Sequence, residues 1–271
     1  MLKWKLMLTT LPYVAAVLAL KLLLQTVFGF QGLLEFTDMG LVLTASAFLM
    51  GFMLSGVMSD FKESEKLPGE IACILETMED HFRQAHAAKP GVDLAGLVAE
   101  VRNLLVAVEA WLLSKAPRAD IYVSLETLLP SLQRLERLGA GQAASKVLGE
   151  LHTLRKSVTR VSVISRTSFL QSGYALLDTL VSVTVGLLLI SRFKTLLAEC
   201  VLCTVVPLIY VYMVRLIRDI DDPFEYSVSG ARGAAEVDLF PIEEYRLRLQ
   251  ARITRDAALP MSELAEARAS A

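Results

Sequence analysis

Cysteine is scarce in this chain, with only Cys73, Cys200 and Cys203 among its 271 residues. Three cysteines cannot build a disulfide scaffold or, at these spacings, a zinc site. Basic charge is not in excess either, because 27 Lys and Arg stand against 29 Asp and Glu, a net charge of −2. No global basic field therefore predicts nucleic-acid binding.

Catalytic motifs are also missing from the sequence. It has no glycine-rich phosphate loop and no G-x-S-x-G elbow. His81 and His86 are five residues apart, whereas one helix face needs a spacing of three or four. We therefore expect no catalytic residue, no metal site and no cofactor, and a protein that is not an enzyme.

No β-rich run occurs, and the dominant feature is apolar sequence. Hydrophobic residues make up 54% and charged residues 21%, against about 45–50% and about 25% in soluble domains. Four segments reach the roughly 20 residues needed to cross a bilayer: residues 6–28, 39–58, 169–190 and 196–217. No small-x-small cleavage site ends the first run, so we expect it to stay as a span. The predicted fold is all-α with four transmembrane helices.

Lys21, Asp178 and Glu199 fall inside these spans, where each needs a physical account, while Arg215 lies at the end of the fourth span. Lys21 lies near the end of its span and is expected to reach the interface. Asp178 is expected to face the helix bundle or a vestibule, and Glu199 to lie at the interface.

Basic residues near the span ends predict the orientation. Most lie before the first span, between the second and third, or after the fourth: Lys3, Lys5, Lys62, Lys66, Arg155, Lys156, Arg160, Arg166, Arg215 and Arg218. This places both termini and residues 60–167 in the cytoplasm of a protein of the inner cell membrane. The Arg192-Phe193-Lys194 turn departs from the rule.

The predicted organisation therefore has four parts. Residues 1–59 form a transmembrane hairpin, 60–167 a cytoplasmic helical domain and 168–218 a second hairpin. The helical domain is expected to contain a long helix over 62–88, bent at Pro68-Gly69, and three more helices. Residues 219–271 form a cytoplasmic tail with a short helix and a frayed end.

One face of the second span carries a mixed stripe. Its members recur at intervals of three and four residues: Thr44, Phe48, Phe52, Ser55 and Ser59. Two aromatic rings flanked by hydroxyls can form a packing ridge. They can equally line an axial pore, with the rings as a hydrophobic constriction and the hydroxyls at its mouths.

The pair Cys200 and Cys203 forms a C-x-x-C at the start of the fourth span. This is similar to membrane thiol oxidoreductases of the vitamin K epoxide reductase type. Those enzymes need a second cysteine pair, whereas only Cys73 remains here. The alternative is that both thiols pack as small apolar groups between helices.

Several ordered motifs carry a resemblance to a known family. They are Gly51-Phe52, the segment 59–70 (SDFKESEKLPGE), Gly173-Tyr174, Pro207, Asp222-Pro223-Phe224 and Asp238-Leu239-Phe240-Pro241. Over about residues 5–250 the chain resembles the bestrophins and bestrophin-like domain proteins. The resemblance implies a homopentameric ion channel, chiefly anion-conducting, with a neck on the second span.

Carried over residue by residue, the resemblance assigns the constriction to Phe48 and Phe52. The first neck position would be Thr44, which is polar, and Asp60-Phe61-Lys62 replaces the family's aromatic pair. Residues 227–235 contain no carboxylate, so the acidic run that helps bind calcium in animal members of the family is absent and calcium gating is not assumed.

The leading hypothesis is therefore a bestrophin-like chloride or other small-ion channel that assembles as a homo-oligomer in the lipid bilayer. Thr44, Ser55 and Ser59 would line the pore, and Asp222, Pro223 and Phe224 would form a structural corner that docks the tail. The alternative is a non-conducting membrane scaffold that recruits a partner through its cytoplasmic helices. The thiol oxidoreductase using Cys200 and Cys203 is a third.

Overall fold

The structure is a computed structural model that describes residues 4–30, 32–167, 170–226 and 235–258. Within these ranges the chain is helical apart from loops and two short strands. The α-helices are α1 (Lys5–Thr26), α2 (Gly40–Ser64), α3 (Leu67–Ala88), α4 (Leu94–Leu112), α5 (Ala119–Arg137), α6 (Gly141–Ile164), α7 (Gln171–Ile190), α8 (Leu196–Asp221) and α9 (Phe240–Ala258). The prediction of an all-α fold is confirmed.

Two compact units divide the chain. The membrane unit comprises Met1–Glu63 and Ile164–Glu236, and the helical unit comprises Ser64–Val163 and Val237–Ala271. The apolar helices long enough to cross a bilayer are α1, α2, α7 and α8. Four membrane-spanning helices were predicted, and this prediction is confirmed.

The spans are helical because hydrocarbon offers no partner for backbone N–H and C=O groups, which a helix satisfies internally. In the membrane unit α8 packs against α1 and α7. One core cluster joins Met50, Met53 and Val57 of α2 to Leu177 of α7 and to Tyr210, Val214, Ile217 and Ile220 of α8. The core therefore uses one side of α2.

A glycine allows α7 to approach α2 closely. A Cβ atom added at Gly173 would lie 2.7 Å from the Met53 sulfur and 3.0 Å from Leu170 Cδ2. Both distances are shorter than ordinary van der Waals contact, so a larger residue here would require the Met53 side chain to move.

Two loops meet at the end of the membrane unit where α1 and α7 finish and α2 and α8 begin, which we call the loop end. Strand β1 (Leu34–Glu35) pairs in parallel with β2 (Ser191–Arg192), and a 3-10 helix over Phe36–Met39 follows β1. This short pair was not predicted, because two residues are too few to show a strand pattern.

The helical unit is built from amphipathic helices. Asp93 caps α4 by accepting a hydrogen bond from the Gly96 N–H at 3.0 Å. Leu97, Val101 and the other apolar residues at helical spacing on α4 are buried. In this unit α4 packs against α3 and α5, and α9 packs against α3 and α4.

The break before α3 differs from the prediction. A bend at Pro68-Gly69 was expected inside one helix over 62–88. Instead α2 runs to Ser64, and α3 begins at Leu67 with Pro68 in its first turn. Proline is tolerated there because the first N–H groups of a helix lack intrahelical acceptors.

Two further predictions lie partly outside the described residues. The third span was expected from Phe169, which is not among them, and α7 is described from Gln171. The frayed end of the tail falls on residues 259–271, also outside them.

Candidate functional site

The stripe predicted on the second span lies on one exposed face of α2. Phe48 is 79% exposed and Phe52 is 55% exposed. Thr44, Ser55 and Ser59 are exposed as well. Gly51 lies on the same face and has no atom within 4 Å of an added Cβ.

The opposite face of α2 is buried. Ser46, Met50, Met53 and Val57 are covered within the membrane unit, and at 3.6 residues per turn they lie about half a turn from the stripe. Tyr210 of α8 also donates a hydrogen bond to the Leu43 carbonyl at 2.8 Å. These contacts fix the rotation of α2 and turn the stripe away from the core of the unit.

The α2 face differs in chemistry from another exposed face of the spans. On α8 the exposed residues four apart are Leu197, Val201, Val205 and Ile209, which is the aliphatic surface expected against lipid tails. The α2 face instead mixes hydroxyls, a glycine and two phenyl rings. Thr44 satisfies its hydroxyl by donating to the Gly40 carbonyl at 2.8 Å, which leaves its oxygen able to accept a hydrogen bond.

Lys21 is buried rather than interfacial, so the expectation that it reaches the interface was wrong. Its side chain is 1% exposed. The ammonium donates to the backbone carbonyls of Ser191 at 2.6 Å and Leu189 at 3.0 Å. It also lies 5.3 Å from the centre of the Phe193 ring. The loop end supplies these carbonyls because α7 terminates there.

Glu199 is the charge partner of Lys21. Its carboxylate lies 3.4 Å from the ammonium, is itself buried, and accepts a hydrogen bond from the Gln25 amide. Glu199 was expected at the interface; it lies in the first turn of α8, and its carboxylate is buried in the protein. A buried charge needs a partner and further hydrogen bonds, and this cluster supplies both while joining α1 to α8.

A second ion pair joins α7 to α8. Asp178 and Arg218 form a salt bridge, and each side chain is about half exposed. The Asp178 carboxylate therefore faces a charged residue of the neighbouring helix α8. Charges on a lipid-facing surface are costly, so this face suits a contact with water or with another polar surface.

The Asp-Pro-Phe segment forms a turn directly after α8. Pro223 and Phe224 are buried, and Asp222 Oδ1 is buried without a hydrogen-bond partner among the described residues. Burial raises the pKa of the Asp222 carboxyl, and the nearby charge of Glu225 adds to that rise. The corner is therefore a packed element whose carboxylate is poorly solvated.

The helical unit holds an ion-pair network that was not predicted. Glu79 of α3 is fully buried and accepts from Arg83 Nε at 2.7 Å and from Arg252 of α9 at 2.9 Å. Tyr245 of α9 donates to the Glu79 carboxylate at 3.3 Å. Burial and the charge of Glu79 raise the pKa of the Tyr245 phenol. The sequence pattern that could have predicted this network is a pair of glutamates on α3, Glu76 and Glu79, and a pair of arginines on α9, Arg248 and Arg252.

The three cysteines are the residues on which the thiol oxidoreductase hypothesis depends. Cys200 is half-buried and Cys203 buried in α8, and both are free, as is the exposed Cys73 of the helical unit. Across the described ranges no three His, Cys, Asp or Glu side chains lie close enough to hold a metal ion.

Comparisons with known proteins place the fold. No family model matches the chain, and no curated protein matches it. Solved structures do match over most of its length. A crystal structure of a bacterial bestrophin homologue from Klebsiella pneumoniae is 16% identical with a TM-score of 0.70, covering 90% of this chain and 97% of that one.

Two further structures agree. A variant of that homologue with a tryptophan-to-alanine substitution has a TM-score of 0.73 at 15% identity, covering 89% of this chain and 96% of its own. A structure described only as a membrane protein with a proline-to-alanine change has a TM-score of 0.69 at 15% identity, covering 90% and 97%. Identities this low show the fold alone. The chain has a bestrophin-like fold and is a multi-pass membrane protein.

Proposed function

We propose that this protein is a bestrophin-like ion channel. Several copies surround a common axis, and the exposed face of α2 lines the pathway along it. The observation that carries the proposal is the division of α2 into a buried face on Met50, Met53 and Val57 and an opposite exposed face on Phe48 and Phe52. This division leaves the exposed face available to a pore.

The chemistry of that face supports a pore over a lipid contact. Lipid tails offer no hydrogen-bond partners, so a lipid-facing helix tends to be aliphatic, as α8 is at Leu197, Val201 and Ile209. The hydroxyls of Ser55 and Ser59 are better solvated by water in a channel. Gly51 has no side chain, so it leaves open space on this face beside the Phe48 and Phe52 side chains.

The positions along α2 suggest a short constriction. Phe48 and Phe52 are one turn apart, about 6 Å along the helix axis. Thr44 lies about 6 Å before the first ring, and Ser59 about 10 Å beyond the second. Rings of phenyl groups can gate a pore by excluding water, while hydroxyls keep its mouths wet. The constriction is neutral, so the preference for anions rests on fold-level analogy with bestrophins.

The assembly is proposed as a homopentamer in the inner membrane, with both termini and residues 60–167 in the cytoplasm. The distribution of Lys and Arg supports this orientation. The Asp222-Pro223-Phe224 corner would dock the tail on neighbouring subunits. A fusion of a periplasm-active reporter to the C-terminus should stay inactive, and activity would reverse the orientation.

Recording from purified protein in planar bilayers tests the channel directly. Wild-type protein should pass current, and a potassium chloride gradient should shift the reversal potential towards that of chloride. A double Phe48→Ala, Phe52→Ala variant should conduct more, because the apolar constriction is wider. The control is Val205→Ala with Ile209→Ala on the aliphatic face of α8, which should conduct as wild type.

Two outcomes would count against the proposal. Absence of current from correctly reconstituted wild-type protein would remove the channel and favour the scaffold. Unchanged conductance in the phenylalanine double variant would remove both rings from the constriction. Mass photometry in mild detergent should give the mass of five copies. The mass of a monomer or dimer would leave no axis for a pore.

A further inference from the structure

A cavity of about 600 Å³ opens at the loop end of the membrane unit. Residues of both loops and of the first turns of α8 line it. Its volume is in the range of ordinary ligand pockets. The conduction proposal does not use this cavity, which lies among elements other than the exposed face of α2.

The polar part of the cavity carries excess positive charge. Arg192 and Lys194 line it and are exposed, and within the described ranges neither has an ion-pair partner. Glu35 is the one lining carboxylate among the described residues, and it accepts a hydrogen bond from the Thr37 hydroxyl at 3.4 Å. Two cations against one carboxylate leave a net positive charge on the lining, which favours an anionic group.

The other part of the cavity is apolar and follows the span. Ala198 and Leu202 are one turn apart on α8. They lie beside Leu197 and Val201, which are exposed on the aliphatic face. An apolar chain bound along Ala198 and Leu202 would therefore be continuous with the lipid tails around α8.

An aromatic wall of the cavity packs against the buried charge cluster. The rings of Phe36 and Phe193 both line the cavity and pack with their centres 5.6 Å apart. The buried ammonium of Lys21 lies 5.3 Å from the Phe193 ring centre. Because Lys21 is fixed by the carbonyls of Leu189 in the last turn of α7 and of Ser191, the ammonium holds the Phe193 ring of this wall from behind.

We propose that this cavity is a binding site for an anionic membrane lipid. Arg192 and Lys194 contact the headgroup phosphate, and the first part of one acyl chain lies along Ala198 and Leu202. The site explains why Arg192-Phe193-Lys194 departs from the usual distribution of basic residues. A free phosphate would satisfy the cations but leave the apolar wall uncovered, so the lipid fits better. The proposal does not depend on conduction.

Native mass spectrometry of the whole protein in detergent tests the site. Phosphatidylglycerol, phosphatidylcholine with the same acyl chains, and inorganic phosphate are added separately. Wild-type protein should retain phosphatidylglycerol in preference to phosphatidylcholine. In an Arg192→Gln, Lys194→Gln variant the affinity for phosphatidylglycerol should fall by roughly tenfold or more. This estimate follows from the attraction of each basic residue to an anionic membrane surface.

Two matched variants sharpen the result. Arg102→Gln with Lys115→Gln removes the same charge from exposed positions of the helical unit, and it should bind phosphatidylglycerol as wild type does. Glu35→Gln removes the opposing carboxylate and should raise the affinity for phosphatidylglycerol.

Three outcomes would overturn the proposal. Equal retention of phosphatidylcholine would show that the headgroup charge is not recognised. Binding of inorganic phosphate as strong as that of phosphatidylglycerol would show that the acyl chain does not contribute to binding. A loss of phosphatidylglycerol in the Arg102 and Lys115 control as large as that in the cavity variant would show that only net charge matters.

Discussion

The ammonium of Lys21 in α1 and the carboxylate of Glu199 in α8 lie 3.4 Å apart, and both are buried among the membrane spans. The sequence distance between them is long, so this contact joins the first span to the last. Removing charges from water is costly, and a lone buried charge is costlier than a pair. The two residues should therefore depend on each other.

Replacing one member of this pair should destabilise the protein more than replacing both. Lys21→Met leaves Glu199 buried without its cation and should lower the free energy of unfolding by about 3–5 kcal/mol. Lys21→Met with Glu199→Gln should recover most of that loss. Denaturant unfolding in detergent measures both values.

The matched control for this pair is Arg246→Met with Glu109→Gln, because that pair is partly exposed and exposed pairs contribute about 0–1 kcal/mol. A Lys21→Met variant as stable as wild type would contradict the structural role of the cluster.

Gly173→Ala should destabilise the membrane unit through a clash with Met53. The added Cβ would lie 2.7 Å from the Met53 sulfur, and overpacking of this kind costs about 1–3 kcal/mol. The cost should shrink when Met53 is already alanine. Thermal unfolding of the four proteins that form this double-mutant cycle gives the coupling.

Gly186→Ala on the same helix is the control for this cycle, because nothing lies within 4 Å of its added Cβ. It should be neutral or slightly stabilising, since alanine favours helix. Equal losses at positions 173 and 186 would rule out the close approach as the cause.

Glu79→Gln should loosen α9 from α3 in the helical unit. The buried carboxylate accepts from Arg83, Arg252 and Tyr245, and its neutralisation weakens these bonds, although Arg83 keeps Asp256 and Arg252 keeps Glu76. We expect a loss of about 1–3 kcal/mol and faster amide hydrogen exchange in residues 240–258. Glu126→Gln on an exposed site of α5 should change neither. Unchanged exchange in α9 would contradict the network.

Asp222→Asn should change how stability depends on pH. Burial raises the pKa of this carboxyl in the folded protein, so folding favours its protonated form. Its contribution to stability is full below the unfolded value near about 3.9 and is lost as the pH rises through the folded value. Asparagine does not titrate, so the variant should gain stability relative to wild type as the pH rises above the unfolded value.

The melting temperature of both proteins across that range measures the effect of Asp222. Asp120→Asn, at an exposed helix start, provides the control. A variant that loses stability relative to wild type as the pH rises would mean that the hydrogen bond from the Phe224 N–H to the carboxylate outweighs the effect of burial.

Much of the architecture followed from sequence because long apolar runs leave few alternatives. The four spans and the helical segments between them were predicted from hydropathy and helix signals, and the bestrophin-like fold from ordered motifs such as Asp222-Pro223-Phe224. The helical spacing of Phe48 and Phe52 was also readable, since 3.6 residues per turn fixes which residues share a face.

Other features could not be read in this way, because they depend on which distant residues meet. Lys21 was expected at the interface, since nothing local announces a partner 178 positions later at Glu199. The pairing of Leu34 with Ser191 and the burial of Glu79 likewise arise from tertiary packing. Whether the α2 face meets water is a question of assembly, which hydropathy alone does not answer.

The most direct measurement of the central claim is modification of a single cysteine on the exposed face of α2 during current recording. Cys73, Cys200 and Cys203 are first replaced by serine or alanine, and Phe52→Cys is then introduced. A charged, water-soluble thiol reagent should reach this cysteine and block the current. Val201→Cys on the aliphatic face of α8 should leave the current unchanged. Full labelling of Phe52→Cys, verified by mass spectrometry, with no change in current would contradict a pore lined by α2.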